Sequence, residues 1–168
     1  PTYPYFHWNA IVLVFLAFAP YGSAAVAVRG SLGQNFSHWA YVTDTGGWSA
    51  RGESQMYDSL NSAIARGSRI AGIALGHNIS TWGYWTQTGG WGARGESQFT
   101  DSLNSASAQN RRIAGIALGY NASTWAYWTD QGGWSARGDP QMLTSLNNAS
   151  AQNRRIAGIA LGYNATTW

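Results

Sequence analysis

The sequence predicts an α+β fold of tandem 43-residue units, each a β-hairpin plus one helix, forming an antiparallel sheet with the helices on one side. Three observations predict it. The stretch RIAGIALGYNASTWAYW at residues 112–128 recurs almost unchanged at 69–85, again from 155 to Trp168, and in a worn form at 28–42. Each copy lies 43 residues from the next, and a fixed period of this length marks one unit multiplied. Between the copies a double glycine, and after it a stripe of apolar residues at helical spacing, return at the same offset.

The second unit serves to justify the elements in order. Trp82, Tyr84 and Thr86 alternate with Gly83 and Trp85, the pattern of a short strand. Thr88-Gly89-Gly90 reads as a turn, because glycine accepts the positive φ that tight hairpins need. Residues 91–94 then form a second short strand or a loop. Across 97–109, Phe99, Leu103 and Ala106 fall at spacings of four and three, one stripe of a helix. Met56, Leu60 and Ala63 repeat the stripe in the first unit, and Met142, Leu146 and Ala149 in the third. Asp139-Pro140 is the cap and first-turn proline of a helix start. At the helix end Gly67, Asn110 and Asn153 share one position, and both residue types accept the left-handed conformation that closes a helix. These helices are rich in Ser and Asn, so they depend on packing. The run 113–118 is apolar on both faces and too short for a second helix, which makes it a buried strand. Gly115 in its middle admits a close approach by another backbone or by the unit's own helix.

Residues 1–26 form an apolar arm and 27–168 a repeat domain, with a partial repeat at 27–38 and full repeats at 39–81, 82–124 and 125–167. The last two repeats agree at 32 of 43 positions, so a motif seen in all of them is partly one observation copied. Residues 11–19 are continuously apolar and precede Pro20-Tyr21-Gly22-Ser23-Ala24, which resembles a secretory signal without its basic leader. Nine residues are too few to cross a bilayer as a helix, so no transmembrane span is expected and a buried strand or arm is the better reading. At the other end, residues 156–161 are expected as a strand whose partner begins only at Trp168, which leaves one edge unpaired. Ile11, Leu13, Phe15 and Phe18 offer a donor strand for it, and Ile156, Ile159, Leu161 and Trp168 the acceptor. An arm folded onto its own chain closes a ring or sheet. Reaching a neighbour instead links copies head to tail, and such a heterologous contact makes a filament. Terminal repeats ordinarily carry a polar cap and neither end does here, which favours the second outcome.

Composition narrows the partners. The net charge is +3, from ten Arg and no Lys, too small and too evenly spread for a nucleic-acid footprint. There is no Cys, hence no disulfide framework or thiol chemistry. Catalysis has little support: His7, His38 and His77 have no recurring partner, the one carboxylate pair to consider is Glu96 with Asp101, and no cluster has metal spacing. No catalytic residue, metal or cofactor is expected. Asn35, Asn78, Asn121 and Asn164 each open an N-x-S/T triplet in a boundary turn, where they serve either as N-glycan acceptors or as turn-stabilising side chains. Trp48, Trp91 and Trp134 follow the double glycines and offer sugar-stacking platforms as readily as packing between units. Arg51 with Glu53, Arg94 with Glu96 and Arg137 with Asp139 are expected as short-range ion pairs bracing the loop before each helix.

The order Gln98, a helix with Leu103, Arg112-Ile113, Gly119 and Trp125 resembles a Trp- and Gly-rich tandem repeat found beside plant casein-kinase-like catalytic domains and in bacterial proteins. The likeness spans residues 39–168, leaves out the arm, and implies a repeat fold without an activity. Taken together, the residues point to an extracellular or cell-surface structural protein, its partner another copy of itself, assembling head to tail and carrying glycans. The alternative is a secreted, multivalent carbohydrate-binding module.

Overall fold

The computed structural model describes residues 27–33, 38–162, 164 and 166–168. The expected donor residues Ile11, Leu13, Phe15 and Phe18, and Asn35 of the first sequon, lie outside the described residues. Three antiparallel three-stranded sheets follow one another, each succeeded by a helix. The first comprises β1 (Ala27–Leu32), β2 (Trp39–Thr43) and β3 (Trp48–Arg51), before α1 (Ser54–Ala65). The second has β4 (Ile70–Leu75), β5 (Trp82–Thr86) and β6 (Trp91–Arg94), before α2 (Ser97–Ala108). The third has β7 (Ile113–Leu118), β8 (Trp125–Thr129) and β9 (Trp134–Arg137), before α3 (Pro140–Ala151).

The local signals act as the residues dictate. Gly46, Gly89 and Gly132 turn the second hairpin of each sheet at φ +82, +86 and +85, which only glycine adopts without strain. Residues 91–94 are therefore a strand. Each helix closes through Gly67, Asn110 or Asn153 at positive φ. The next N–H then reaches back into the last turn, as from Ser68 to Ala63 O and from Arg111 to Ala106 O, both at 3.0 Å. Asp139 caps α3 by accepting from the N–H of Gln141 and Met142, whereas Glu53 and Glu96 give their helices no side-chain cap.

Instead of one continuous sheet, the described residues build three, with α1 and α2 each sharing a core with the sheet before it and the sheet after it. Met56, Leu60 and Ala63 of α1 join Ala40 and Val42 of β2 on one side and Ile70, Ile73, Leu75, Trp82 and Tyr84 of the second sheet on the other. Phe99, Leu103 and Ala106 of α2 repeat this between Ala74 and Trp85 behind and Ile113, Ile116, Trp125 and Tyr127 ahead. The central strands β5 and β8 are consequently buried along their whole length. Alternate side chains point to opposite faces, so Trp82 and Tyr84 serve the preceding helix while Trp85 serves the following one.

What approaches the mid-strand glycine is a ring, in place of the backbone or helix expected. Gly72 lies opposite Trp85 and Gly115 opposite Trp128 in the ladders. A Cβ on Gly115 would sit 1.9 Å from Cζ2 of Trp128. Residues 156–161, expected as a strand, form no ladder among the described residues. Ile156, Ile159 and Leu161 are only half-buried, packed on Ala117, Ala126 and Trp128 as the long strands β4 and β7 pack on the sheet before them. In the described units a long strand is paired by a Trp-led neighbour, and Trp168, at the matching position, is 50% exposed and outside any strand.

Gly115→Ala is expected to lower stability by about 1–3 kcal/mol through overpacking, whereas Gly158→Ala, at the matching position of 156–161 with nothing within 4 Å of a Cβ, stays within about 0.5 kcal/mol. Urea unfolding of both variants checks this.

Candidate functional site

The candidate site is the contact by which one sheet seats on the helix before it. It is made twice. In the first instance Trp82 and Tyr84 stack 6.4 Å apart with planes 6° from parallel. Their side chains cover α1: the Tyr84 hydroxyl donates to the Ser59 carbonyl and pairs with Ser59 Oγ, each at 3.1 Å. The Trp82 Nε1–H donates to Glu53 Oε2 at 3.1 Å. Arg94 lies opposite Trp82 in the ladder, so both project from the same face. It forms an ion pair with Glu53 and donates to Gln55 Oε1 at 2.7 Å.

The second instance repeats the set. Trp125 and Tyr127 stack at 6.5 Å and 4°, and the Tyr127 hydroxyl donates to the Ser102 carbonyl at 3.0 Å. Arg137 reaches Glu96 and Gln98, each at 2.5 Å. Two atoms depart from the pattern: Trp125 Nε1 and Glu96 Oε2 are buried without partners, although their counterparts Trp82 and Glu53 bond each other. Phe99 stands where the first instance has Met56, and its ring lies 5.6 Å from that of Trp125.

These pairings correct the ion pairs expected from sequence proximity. Glu53 meets Arg94 and Glu96 meets Arg137, each 41 residues away, while Arg94 is not paired with Glu96 or Arg137 with Asp139. The cause is strand direction. Arg94 ends a strand on the face that looks back, and Glu96, two residues on, begins a helix whose partners lie ahead. Magnitudes rank the contributions: each aromatic ring buries roughly 150–250 Å², worth several kcal/mol at about 25 cal/mol per Å². A half-exposed ion pair adds about 0.2–1 kcal/mol. The rings drive seating and the charges select the register.

Among the described residues the first sheet and α3 carry one half of this contact each. On the first sheet, Trp39 and Tyr41 already stack at 6.0 Å and 7°, with Tyr41 39% exposed and Arg51 opposite Trp39 in the ladder. Arg51 is exposed and makes no ion pair among the described residues. On α3, Asp139, Gln141 and Ser145 stand where Glu53, Gln55 and Ser59 stand on α1, and Gln141 and Ser145 are exposed. Ile156, Ile159 and Leu161 follow α3 in the chain and pack on the third sheet, and Trp168 is 50% exposed.

The other expected site residues fall elsewhere. Trp91 and Trp134 lie half-buried on their own helices, their Nε1–H groups donating to Ser107 and Ser150 Oγ at 2.7 Å, and Trp48 stacks on Tyr57 at 6.0 Å. In the boundary turns Asn78 Oδ1 accepts from Ser80 N–H at 3.0 Å and Thr81 Oγ1 at 2.9 Å, and Asn121 accepts from Ser123 and Thr124 in the same way. Asn164 does likewise with Thr166. Each Oδ1 thus holds its turn, the turn-stabilising role weighed above. Glu96 is engaged by Arg137, and Asp101 is exposed on α2. Among the described residues no group of three His, Asp or Glu side chains is placed to hold a metal ion, and no helix is long and apolar enough to cross a membrane. A shallow groove of about 160 Å³ runs past Arg29, Trp85, Arg112 and Asp130. Arg29 covers the Trp85 ring there at 5.7 Å, and Arg112 faces Asp130 at 3.6 Å.

No family model, curated protein or solved structure matches this chain. The likeness to the Trp- and Gly-rich tandem repeat therefore rests on its residues alone.

A double-mutant cycle on urea stability is expected to give a coupling of about 0.5–1 kcal/mol between Glu53 and Arg94. The sequence neighbours Arg94 and Glu96 should show none beyond error, and the reverse ranking would return the ion pair to the loop.

Proposed function

We propose that this chain is an extracellular or cell-surface structural protein that assembles head to tail into a filament or surface layer by strand exchange at its N-terminal end. One observation carries the reading. Residues 156–161 lie against the third sheet as a long strand does, with Ile156, Ile159 and Leu161 half-exposed and no strand beside them among the described residues. An apolar segment with unpaired backbone groups is a template for strand addition. The sequence offers Ile11, Leu13, Phe15 and Phe18 of a neighbouring copy as the donor. Because the contact joins unlike surfaces, it propagates. Glycans on Asn78, Asn121 and Asn164 belong to the same proposal, and their turns lie at the surface of the stack, with Asn78 and Asn164 exposed.

A carbohydrate-binding module is the second reading. It is favoured by the way Trp91 and Trp134 are held: an indole anchored through its N–H by a helix serine is pre-oriented, and two such rings, in the second and third units, supply multivalency.

Light scattering and negative-stain microscopy of the full chain test the first reading. Filaments or large assemblies are expected for the unaltered protein, with loss of assembly in Ile159→Asp and in Phe15→Asp while the far-ultraviolet dichroism is retained. A full chain that stays monomeric at high concentration overturns it. For the second, glycan-array binding that disappears in a folded Trp91→Ala variant is the expected result, and an array with no binding removes it.

A further inference from the structure

Half-buried Trp39 and exposed Tyr41 hold the geometry with which their two counterparts dock. The ring separations are 6.0, 6.4 and 6.5 Å and the interplanar angles 7°, 6° and 4°. In the other two sheets the tyrosine is almost wholly buried, Tyr84 at 3% and Tyr127 at 6% exposed, because a helix lies on it. On the first sheet no helix does so among the described residues. Arg51, matching Arg94 and Arg137 in the ladder, accompanies the pair with no ion pair among the described residues. The matching surface is at α3 and its N-cap: Asp139 and Gln141 for the arginine and Ser145 for the tyrosine hydroxyl, over the buried Met142 and Leu146. A contact between unlike faces, repeated by one operation, leaves complementary ends whatever the number of units in the stack.

We infer that the first-sheet face of one copy, Trp39, Tyr41 and Arg51, seats on α3 of a second copy, with Arg51 paired to that copy's Asp139. This rests on the head-to-tail reading and specifies its contact. Seating of this kind sets a condition on the strands. Inside the chain the strand beside each Trp-led strand is the one following the covered helix, β4 after α1 and β7 after α2. Between copies that strand is residues 156–161 of the copy supplying α3, and its place beside β2 is held by β1. One of the two must leave. β1 carries Ala27 and Gly30 where β4 carries Ile70 and Ile73, the residues that anchor the strand to its helix at 0% and 6% exposure. Residues 156–161 keep both isoleucines, as Ile156 and Ile159. Burying them on seating favours 156–161 over β1. The exchanged element is then β1, and β2 of the first copy, in place of residues 11–18, completes the open strand of the second.

The experiment is a charge exchange read by sedimentation and light scattering of the full chain. Arg51→Glu and Asp139→Arg, taken singly, are each expected to raise the concentration for half-assembly at least about tenfold, because like charges then face each other across the contact. The double variant is expected to recover most of the loss, and an equimolar mixture of the two single variants to assemble as well, since every contact between unlike variants pairs opposite charges. Asp139 also caps α3, so Asp139→Asn, which keeps the cap and removes the charge, is the control for folding and is expected to weaken assembly as well. If the unaltered chain assembles, Phe15→Asp abolishes this, and the charge variants assemble unchanged, this contact is overturned while head-to-tail assembly through residues 11–18 stands. A monomeric unaltered chain overturns both.

Discussion

The seating of a Trp–Tyr pair on the preceding helix is the contact on which the rest of this structure depends. None of the three helices is strong alone, since Ser and Asn occupy many of their exposed positions. A three-stranded sheet of this size likewise lacks a core of its own. Joined, they bury Leu60, Ile70, Leu103 and Ile113 to 2% exposure or less. Stability therefore resides between units, as in other quasi-one-dimensional folds, where each unit leans on its neighbours.

Other features follow from having to bury a strand on both faces. A Trp-led strand that gives Trp82 and Tyr84 to one helix must present something else to the next, and β5 presents Gly83 and Trp85. The bulky indole then needs room, which Gly72 provides across the ladder. On the first sheet, where the forward-facing residue is the smaller Val42, the facing position holds Arg29 instead of glycine. Arg29 turns outward to lie over the Trp85 ring. Ring and glycine thus change together, which is a packing constraint expressed in two residues at once.

Much of the local structure was legible. The helix stripes, the left-handed closures at Gly67, Asn110 and Asn153, the glycine turns and the buried strand 113–118 all depend on residues within about a dozen positions of one another. The candidate site was less so. Its residues recur in every unit, yet Arg94 with Glu96 is as good a pair on paper as Arg94 with Glu53. The usable signal was positional: in a stack whose contacts run from one unit to the next, the true partner lies near one repeat length away. The post-glycine tryptophans were equally ambiguous, because an indole held by Ser107 and one stacked on a ligand have the same neighbours in sequence.

By itself the sequence determined where the helices, their closures and the apolar and Trp-led strands lie and that one unit is multiplied, because backbone preferences and side-chain periodicity are short-range properties of the chain. It left 91–94 open and placed at 156–161 a strand that forms no ladder among the described residues. Only the tertiary structure decided that the sheets are separate, that α1 and α2 are each shared by two of them, that Glu53 belongs to Arg94, and that Trp39 and Tyr41 stack as their counterparts do without a helix on them among the described residues. Those facts depend on which face of a strand looks backward and which forward. Alternation assigns residues to two faces, but only packing decides what each face meets.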